Sequence, residues 1–185
     1  MDRGYPGDSA VRFVSDHHRL PEEKRFILRR IIVSADTALA RMAKATRLHA
    51  LRGRTVFVDG YNTAITAHSL LAGHPVYFCD DGFLRDTRAF FRGRGDLHVA
   101  AIAFSEILDL LASAHPYRVQ MLLDQQISRS GELAGEVRRM MAARGLPGEA
   151  RCARNVDQLI KTCSCIIATS DGNVIDAAAA VIDLP

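Results

Sequence analysis

Three apolar runs of this chain close on an aspartate: Val56-Phe57-Val58-Asp59, Met121-Leu122-Leu123-Asp124 and Ile166-Ile167-Ala168-Thr169-Ser170-Asp171. Short apolar runs alternating with helical stretches are the pattern of βαβ units feeding a parallel sheet. In such a sheet the carboxyl ends of the strands share one edge, and ligands bind in the crevice outside it. Aspartates far apart in sequence are therefore expected to meet in space. Convergent carboxylates repel one another and resist ionisation unless a cation sits among them. An all-oxygen donor set of this kind suits a hard divalent ion, Mg²⁺ or Mn²⁺.

The remaining elements follow from the same patterning. Strands are expected at 55–59, 74–80, 118–124, 148–153 and 165–171, with a closing edge strand within 177–183. Pro75 confines the start of the second strand to an edge or entry position. Helices are expected at 99–114, 130–143 and 155–162. Upstream, residues 10–14 suggest a small helix. Leu28, Ile31, Ile32, Ala35, Leu39 and Met42 recur at three-to-four spacing, which predicts one long helix over 21–50 that leaves Lys24, Arg25, Arg29, Arg41, Lys44 and Arg47 on other faces.

With 185 residues, 48% of them hydrophobic, the chain supports one sizeable core and an appendage. Charge marks the boundary between them. Residues 1–54 hold 12 Lys+Arg and 6 Asp+Glu, a net +6, whereas residues 55–185 carry a net −3. We therefore divide the chain into a basic helical region, 1–53, and an α/β domain, 54–185. The basic face suits a polyanion or, equally, is a solvated helix surface, and the region also offers a partner contact such as a homodimer. No stretch approaches the roughly 18 apolar residues of a membrane span, and the N-terminus lacks an apolar signal core, so a cytoplasmic protein without membrane contact is expected.

Other carboxylates join the set. Asp157 opens the helix before the third Asp-terminated run and is positioned to point back to the same edge. Asp176, on the helix after Asp171, is a candidate outer ligand. Asp80, in Asp80-Asp81-Gly82 with Arg85 and Asp86, either contributes to that edge or forms a tight turn. The loop Ser128-Arg129-Ser130-Gly131 joins a strand to a helix, where hydroxyls, a guanidinium and a glycine make a candidate anion cradle. Arg129 there calls for an accompanying anion, because a cation at a helix N-terminus is otherwise unfavourable; Ser130 equally suits a helix cap.

At these residues the chain resembles a known superfamily. Val58-Asp59-Gly60-Tyr61-Asn62 after an apolar strand is similar to the opening motif of the PIN/NYN nucleases. Asn155-Val156-Asp157 and Ile167-Ala168-Thr169-Ser170-Asp171-Gly172 are similar to their later acidic pair. More narrowly, the chain resembles an uncharacterised archaeal and bacterial family in which a short basic helical region precedes a PIN-like domain. That likeness covers nearly the whole chain, including Arg3-Gly4-Tyr5-Pro6, the stretch from Cys79 to Asp86 and the stretch from Ser128 to Glu132. The superfamily resemblance implies a three-layer PIN-like α/β fold with a mainly parallel sheet and metal-dependent hydrolysis of RNA, or less readily DNA. Asp59, Asp157 and Asp171 match its acidic positions. The Asp80-Asp81 cluster and the Asp124 loop depart from many PIN nucleases.

The resulting expectation is a nuclease. Asp59, Asp157 and Asp171 hold one or two Mg²⁺ or Mn²⁺ ions, with Asp176 and Asp80 as further ligands and Asp124 as ligand or base. Asn62, Ser128, Arg129 and Ser130 contact substrate. The alternative is a PIN-like module that binds nucleic acid or nucleotide without turnover. A haloacid-dehalogenase phosphatase is disfavoured, because Tyr61 stands where its second aspartate belongs and Lys161 is the only lysine beyond residue 44. No G-x-G-x-x-G follows a strand, which disfavours a Rossmann cofactor enzyme.

Overall fold

Alternation along the first strand decides which side of the sheet each residue serves. In β1 (Thr55–Asp59), Val56 and Val58 are fully buried on one face, while Phe57 and Asp59 point to the other. The computed structural model describes residues 1–87, 97–154, 158 and 165–185. The further strands are β2 (Val76–Phe78), β3 (Leu84–Asp86), β4 (Arg118–Asp124), β5 (Gly148–Ala153), β6 (Ile166–Ala168) and β7 (Ala180–Ile182). Five of them form a sheet in the order β5-β4-β1-β6-β7, every pairing parallel. The chain builds outward from β1 through β4 to β5, then resumes on the other side of β1 with β6 and β7. The order therefore reverses between β1 and β6, the place where open α/β sheets form their ligand crevice.

The expected strand at 74–80 is not part of this sheet. Its core, β2, pairs antiparallel with β3 in a separate hairpin. The reason is local: Gly82 takes a left-handed φ of 81° in the Asp80-Asp81-Gly82 turn, which folds the chain straight back. The third Asp-terminated run also pairs over a shorter length than expected, and Asp171 lies beyond it as a helix cap.

Among the described residues the helices are α1 (Gly7–His17), α2 (Glu22–Ile31), α3 (Ala35–Met42), α4 (Gly60–Leu71), α5 (Leu97–Ser113), α6 (Ser130–Ala143) and α7 (Gly172–Ala177), and the helix expected at 155–162 lies almost wholly outside them. Ala64 of α4, Phe104 and Leu108 of α5 and Leu133 and Val137 of α6 bury the face that carries Val58, Met121 and Ala168. On the opposite face Phe83, Val174 and Ile175 cover Leu122, Ile167 and Val181. The chain is thus an α/β protein with a parallel central sheet.

Helix α4 starts directly at the end of β1, and only a glycine permits the approach. A Cβ on Gly60 would lie 2.6 Å from Cδ2 of Leu123 and 2.8 Å from the carbonyl oxygen of Leu122. Gly60→Ala is expected to destabilise the protein by about 1–3 kcal/mol, the usual range for overpacking. Urea denaturation measures it, and an unchanged midpoint would mean that α4 shifts freely on β4.

The single helix expected over 21–50 is two helices and a 3-10 turn at Leu48–Leu51. The break follows from Ile32-Val33-Ser34. Ile32 is already extended (ψ 126°), and Ser34 caps α3, its Oγ accepting from the Thr37 amide at 3.3 Å. Tertiary bonds hold the broken backbone: the Asp80 amide donates to the Ile31 carbonyl at 3.1 Å, and the Val33 amide donates to Asp80 Oδ2 at 3.3 Å. Beyond α3 the chain runs along β7, where Ala45 bridges Val181 in parallel and the Thr46 amide donates to the Val181 carbonyl at 2.7 Å. Among the described residues no helix is long and apolar enough to cross a membrane.

Candidate functional site

The Asp59 carboxylate and the Asp171 backbone meet through one hydroxyl. Asp59 is buried, 5% exposed, at the carboxyl end of β1. Its Oδ2 accepts from Asn62 Nδ2 at 2.6 Å and from Thr169 Oγ1 at 2.9 Å. The same Thr169 oxygen accepts from the Asp171 amide at 3.1 Å. The two carboxylates therefore lie on adjacent strand ends at the reversal of strand order. Asn62, one turn into α4, orients Asp59, as a position three residues into a helix allows.

Asp124 lies on the same rim, two register positions beyond the β4 partner of Asp59, Leu122, and on the same face by alternation. Its Oδ1 accepts from the Gln126 amide at 2.9 Å, closing the turn after β4. Tyr61 is packed in the core; burial pushes its hydroxyl up to about 12, and the charges of Cys152 and Asp124 push in the same direction. Asp171 Oδ1 accepts from the amides of Asn173 at 2.9 Å and Val174 at 3.2 Å and so caps α7. Asp157 lies outside the described residues. Among the described residues no group of three or more His, Cys, Asp or Glu side chains is gathered as a metal would require.

Several candidates serve other partners. Asp176 is fully engaged by Arg41, whose Nε donates to Oδ1 at 2.7 Å and Nη2 to Oδ2 at 2.8 Å. Its carboxylate serves a bidentate guanidinium, so the structure places Asp176 in an ion pair with Arg41. Asp80 anchors the β2–β3 turn to the end of α2, away from Asn62 and Thr169, which bind the Asp59 carboxylate. Arg129, expected to await an anion, has one in Glu132, with Nη2 to Oε2 at 2.7 Å; both side chains are exposed. The protein itself provides an anion beside this cation, one turn into α6. Ser130 is buried with its amide donating to Ile127, whereas Ser128 is exposed on the loop.

A charge network missed at the level of spacing adjoins Asp171. Asp81 is 0% exposed and binds two guanidiniums. Arg85 donates from Nη1 to Oδ1 at 2.8 Å and from Nη2 to Oδ2 at 2.7 Å, and Arg41 donates from Nη1 to Oδ2 at 2.8 Å. Burial raises the Asp81 pKa, but the hydrogen bonds from Arg85 and Arg41 prevail and hold it below the usual carboxylate value. Arg85 Nε reaches the Ser170 carbonyl at 2.7 Å, tying the hairpin to the end of β6. Arg41, expected on a solvated helix face, is 9% exposed and packs over Gly172. The one sequence signal was the charged cluster Asp80-Asp81-Gly82 with Arg85. Arg85, Arg41, the end of α2 and residues 170–173 line a cleft of about 240 Å³ beside Asp171, with Arg29 and Arg30 on the α2 side.

Asp183, past β7, behaves oppositely to Asp81. Burial pushes it up to about 6, against the Leu84 amide, which donates to Oδ2 at 2.7 Å, and the charge of Arg85. Its Oδ1 is buried without a partner among the described residues. The folded protein holds this proton more tightly than the unfolded chain. The associated stability is therefore complete below the ordinary carboxylate value and lost as pH rises toward about 6. At about 1.4 kcal/mol per pK unit the loss is roughly 3 kcal/mol. Denaturation between pH 4 and 7 should show it, and Asp183→Asn should flatten that slope; a slope kept in the variant would assign it elsewhere.

Comparison with known proteins places the two ends of the chain in separate family models. Residues 1–44 match "Protein of unknown function (DUF434)", and residues 48–185 match "Domain of unknown function (DUF5616)". The uncharacterized protein MJ0935 of Methanocaldococcus jannaschii is 31% identical over 175 residues, which is 95% of this chain and 83% of that protein. No solved structure matches. The parallel sheet and the Asp59–Asp171 rim fall within the match of the second model, and the chain belongs to the DUF5616 family.

Proposed function

We propose that the protein is a divalent-metal-dependent nuclease of PIN-like type that hydrolyses phosphodiester bonds in RNA, acting in the cytoplasm. The observation that carries this is the link from the Asp59 carboxylate through the Thr169 hydroxyl to the Asp171 amide at the reversal of strand order, which brings both residues to one rim. The donors there are carboxylate and hydroxyl oxygens, which suit Mg²⁺ or Mn²⁺ over softer ions. Asp59 and Asp171 would hold the ion, with Asp157 joining on the strength of the superfamily resemblance. Such an ion polarises a phosphoryl oxygen and lowers the pKa of bound water. Asn62 and Thr169 fix the Asp59 carboxylate, a supporting role typical of residues behind metal ligands. Asp124, one strand away, is placed to take a proton. The basic region 1–53, ahead of the domain 54–185, contributes affinity for the polyanion, and its exposed Tyr5, Phe13 and Val14 suit a homodimer contact.

The test is cleavage of single-stranded RNA by the full chain in Mn²⁺, in Mg²⁺ and in EDTA. Cleavage in either metal and none in EDTA is expected. The second reading, a module that binds without turnover, is favoured by the local partners of Asp171, whose Oδ1 serves as a helix cap. It predicts equal RNA binding in metal and EDTA with the RNA left whole, and that result would overturn the nuclease.

A further inference from the structure

The cleft beside Asp171 holds more positive charge than its own carboxylates engage. Arg41 and Arg85 are fully used by Asp81, Asp176 and the Ser170 carbonyl. Arg29 and Arg30, in the last turn of α2, are not. Arg29 reaches the exposed Asp8 at 4.0 Å, the outer limit of an ion pair, where the gain is slight. Arg30 makes no ion pair among the described residues, and its guanidinium lies 5.8 Å from the Phe26 ring centroid. Its Nε is buried and lacks a hydrogen-bond partner among the described residues. Buried donors are satisfied in the great majority of folded proteins, because leaving one unmade costs about 1–3 kcal/mol. Among the described residues no carboxylate or carbonyl engages the Arg30 guanidinium, which lines the cleft.

From these observations we propose that the cleft binds a phosphate group, received by Arg29 and Arg30 at the end of α2. Guanidiniums match phosphate oxygens in geometry and remain charged at every physiological pH. The volume argues for a phosphate alone, since about 240 Å³ falls below the roughly 300–1,000 Å³ of sites for whole small molecules. The rest of a phosphorylated molecule has room next door. A second cavity of about 600 Å³ shares Arg29, Val33, Arg41 and Asn173 with the cleft and continues to Tyr5. The site is composite: its arginines come from α2, its opposite wall from residues 170–173. Only the identity of the molecule that carries the phosphate rests on the nuclease reading; the phosphate site does not.

The experiment titrates the full chain in EDTA, at fixed ionic strength, with inorganic phosphate, with a 5′-phosphorylated RNA octamer and with the same octamer ending in a 5′-hydroxyl. Wild type is expected to bind phosphate, and Arg30→Gln to bind it at least tenfold more weakly. Arg29→Gln, at an exposed position that folding tolerates, should weaken it likewise. Asp59→Asn should bind as wild type, so that lost cleavage with kept phosphate binding separates the two proposals. Tighter binding of the 5′-phosphorylated octamer, lost in Arg30→Gln, assigns a terminal phosphate. Equal binding of both octamers, lost in the same variant, assigns an internal one. Unchanged binding of all three probes in folded Arg29→Gln and Arg30→Gln, or no phosphate binding by wild type, overturns the site.

Discussion

Replacing Asp81 by Asn is expected to lower stability by about 3–5 kcal/mol, the usual cost of removing one partner from a buried charge cluster. The carboxylate is wholly buried and binds both Arg41 and Arg85. An amide of the same shape would turn an N–H group toward guanidinium N–H groups and leave two cations in a poorly hydrated site. The loss should appear in urea denaturation as a lower midpoint with an unchanged slope. Asp176→Asn is the control. Its side chain is 51% exposed, so water compensates Arg41 and the cost should stay near 1 kcal/mol. Equal losses in the two variants would mean that burial of Asp81 is not what makes it important.

Asp81 also predicts an acid limb. Because its folded pKa lies below the ordinary value, its contribution is complete above the unfolded carboxylate pKa and disappears as pH falls through the folded one. Asp183 works in the opposite direction at higher pH, up to about 6. The summed contribution of these two carboxylates therefore peaks near the ordinary carboxylate value.

The second large effect concerns activity. If the nuclease reading holds, Asp59→Asn should reduce Mn²⁺-dependent RNA cleavage by about 10²-fold or more, since metal assistance amounts to several kcal/mol and each 1.36 kcal/mol is tenfold in rate. Stability should change little. The amide retains the shape of the side chain and an oxygen to accept from Thr169. Activity and melting temperature should therefore separate. Equal cleavage by variant and wild type would remove Asp59 from the chemistry.

Much of the α/β domain was legible in local pattern. The strands Arg118–Asp124 and Gly148–Ala153 and the helix Ser130–Ala143 coincide with their expected bounds, because apolar runs and helical periodicity are properties of neighbouring residues. Placing Asp59 and Asp171 on one edge needed only the rule that parallel strands end together. The hairpin β2–β3 was less legible, since a run as short as Val76–Phe78 does not say which strand it pairs with.

The sequence by itself determined the parallel sheet, the apolar run that ends on Asp59, and the rim on which the aspartates stand. Only the tertiary structure decided that α2 and α3 break at Val33, that Arg41 is buried, that Asp176 holds a guanidinium and that Arg30 lines a cleft. The physical reason is range. Backbone preference and hydrophobic period act over a few residues, whereas Arg41 finds Asp81 and Asp176 at sequence separations of 40 and 135. Whether an arginine faces water or the interior depends on carboxylates that no local spacing reveals.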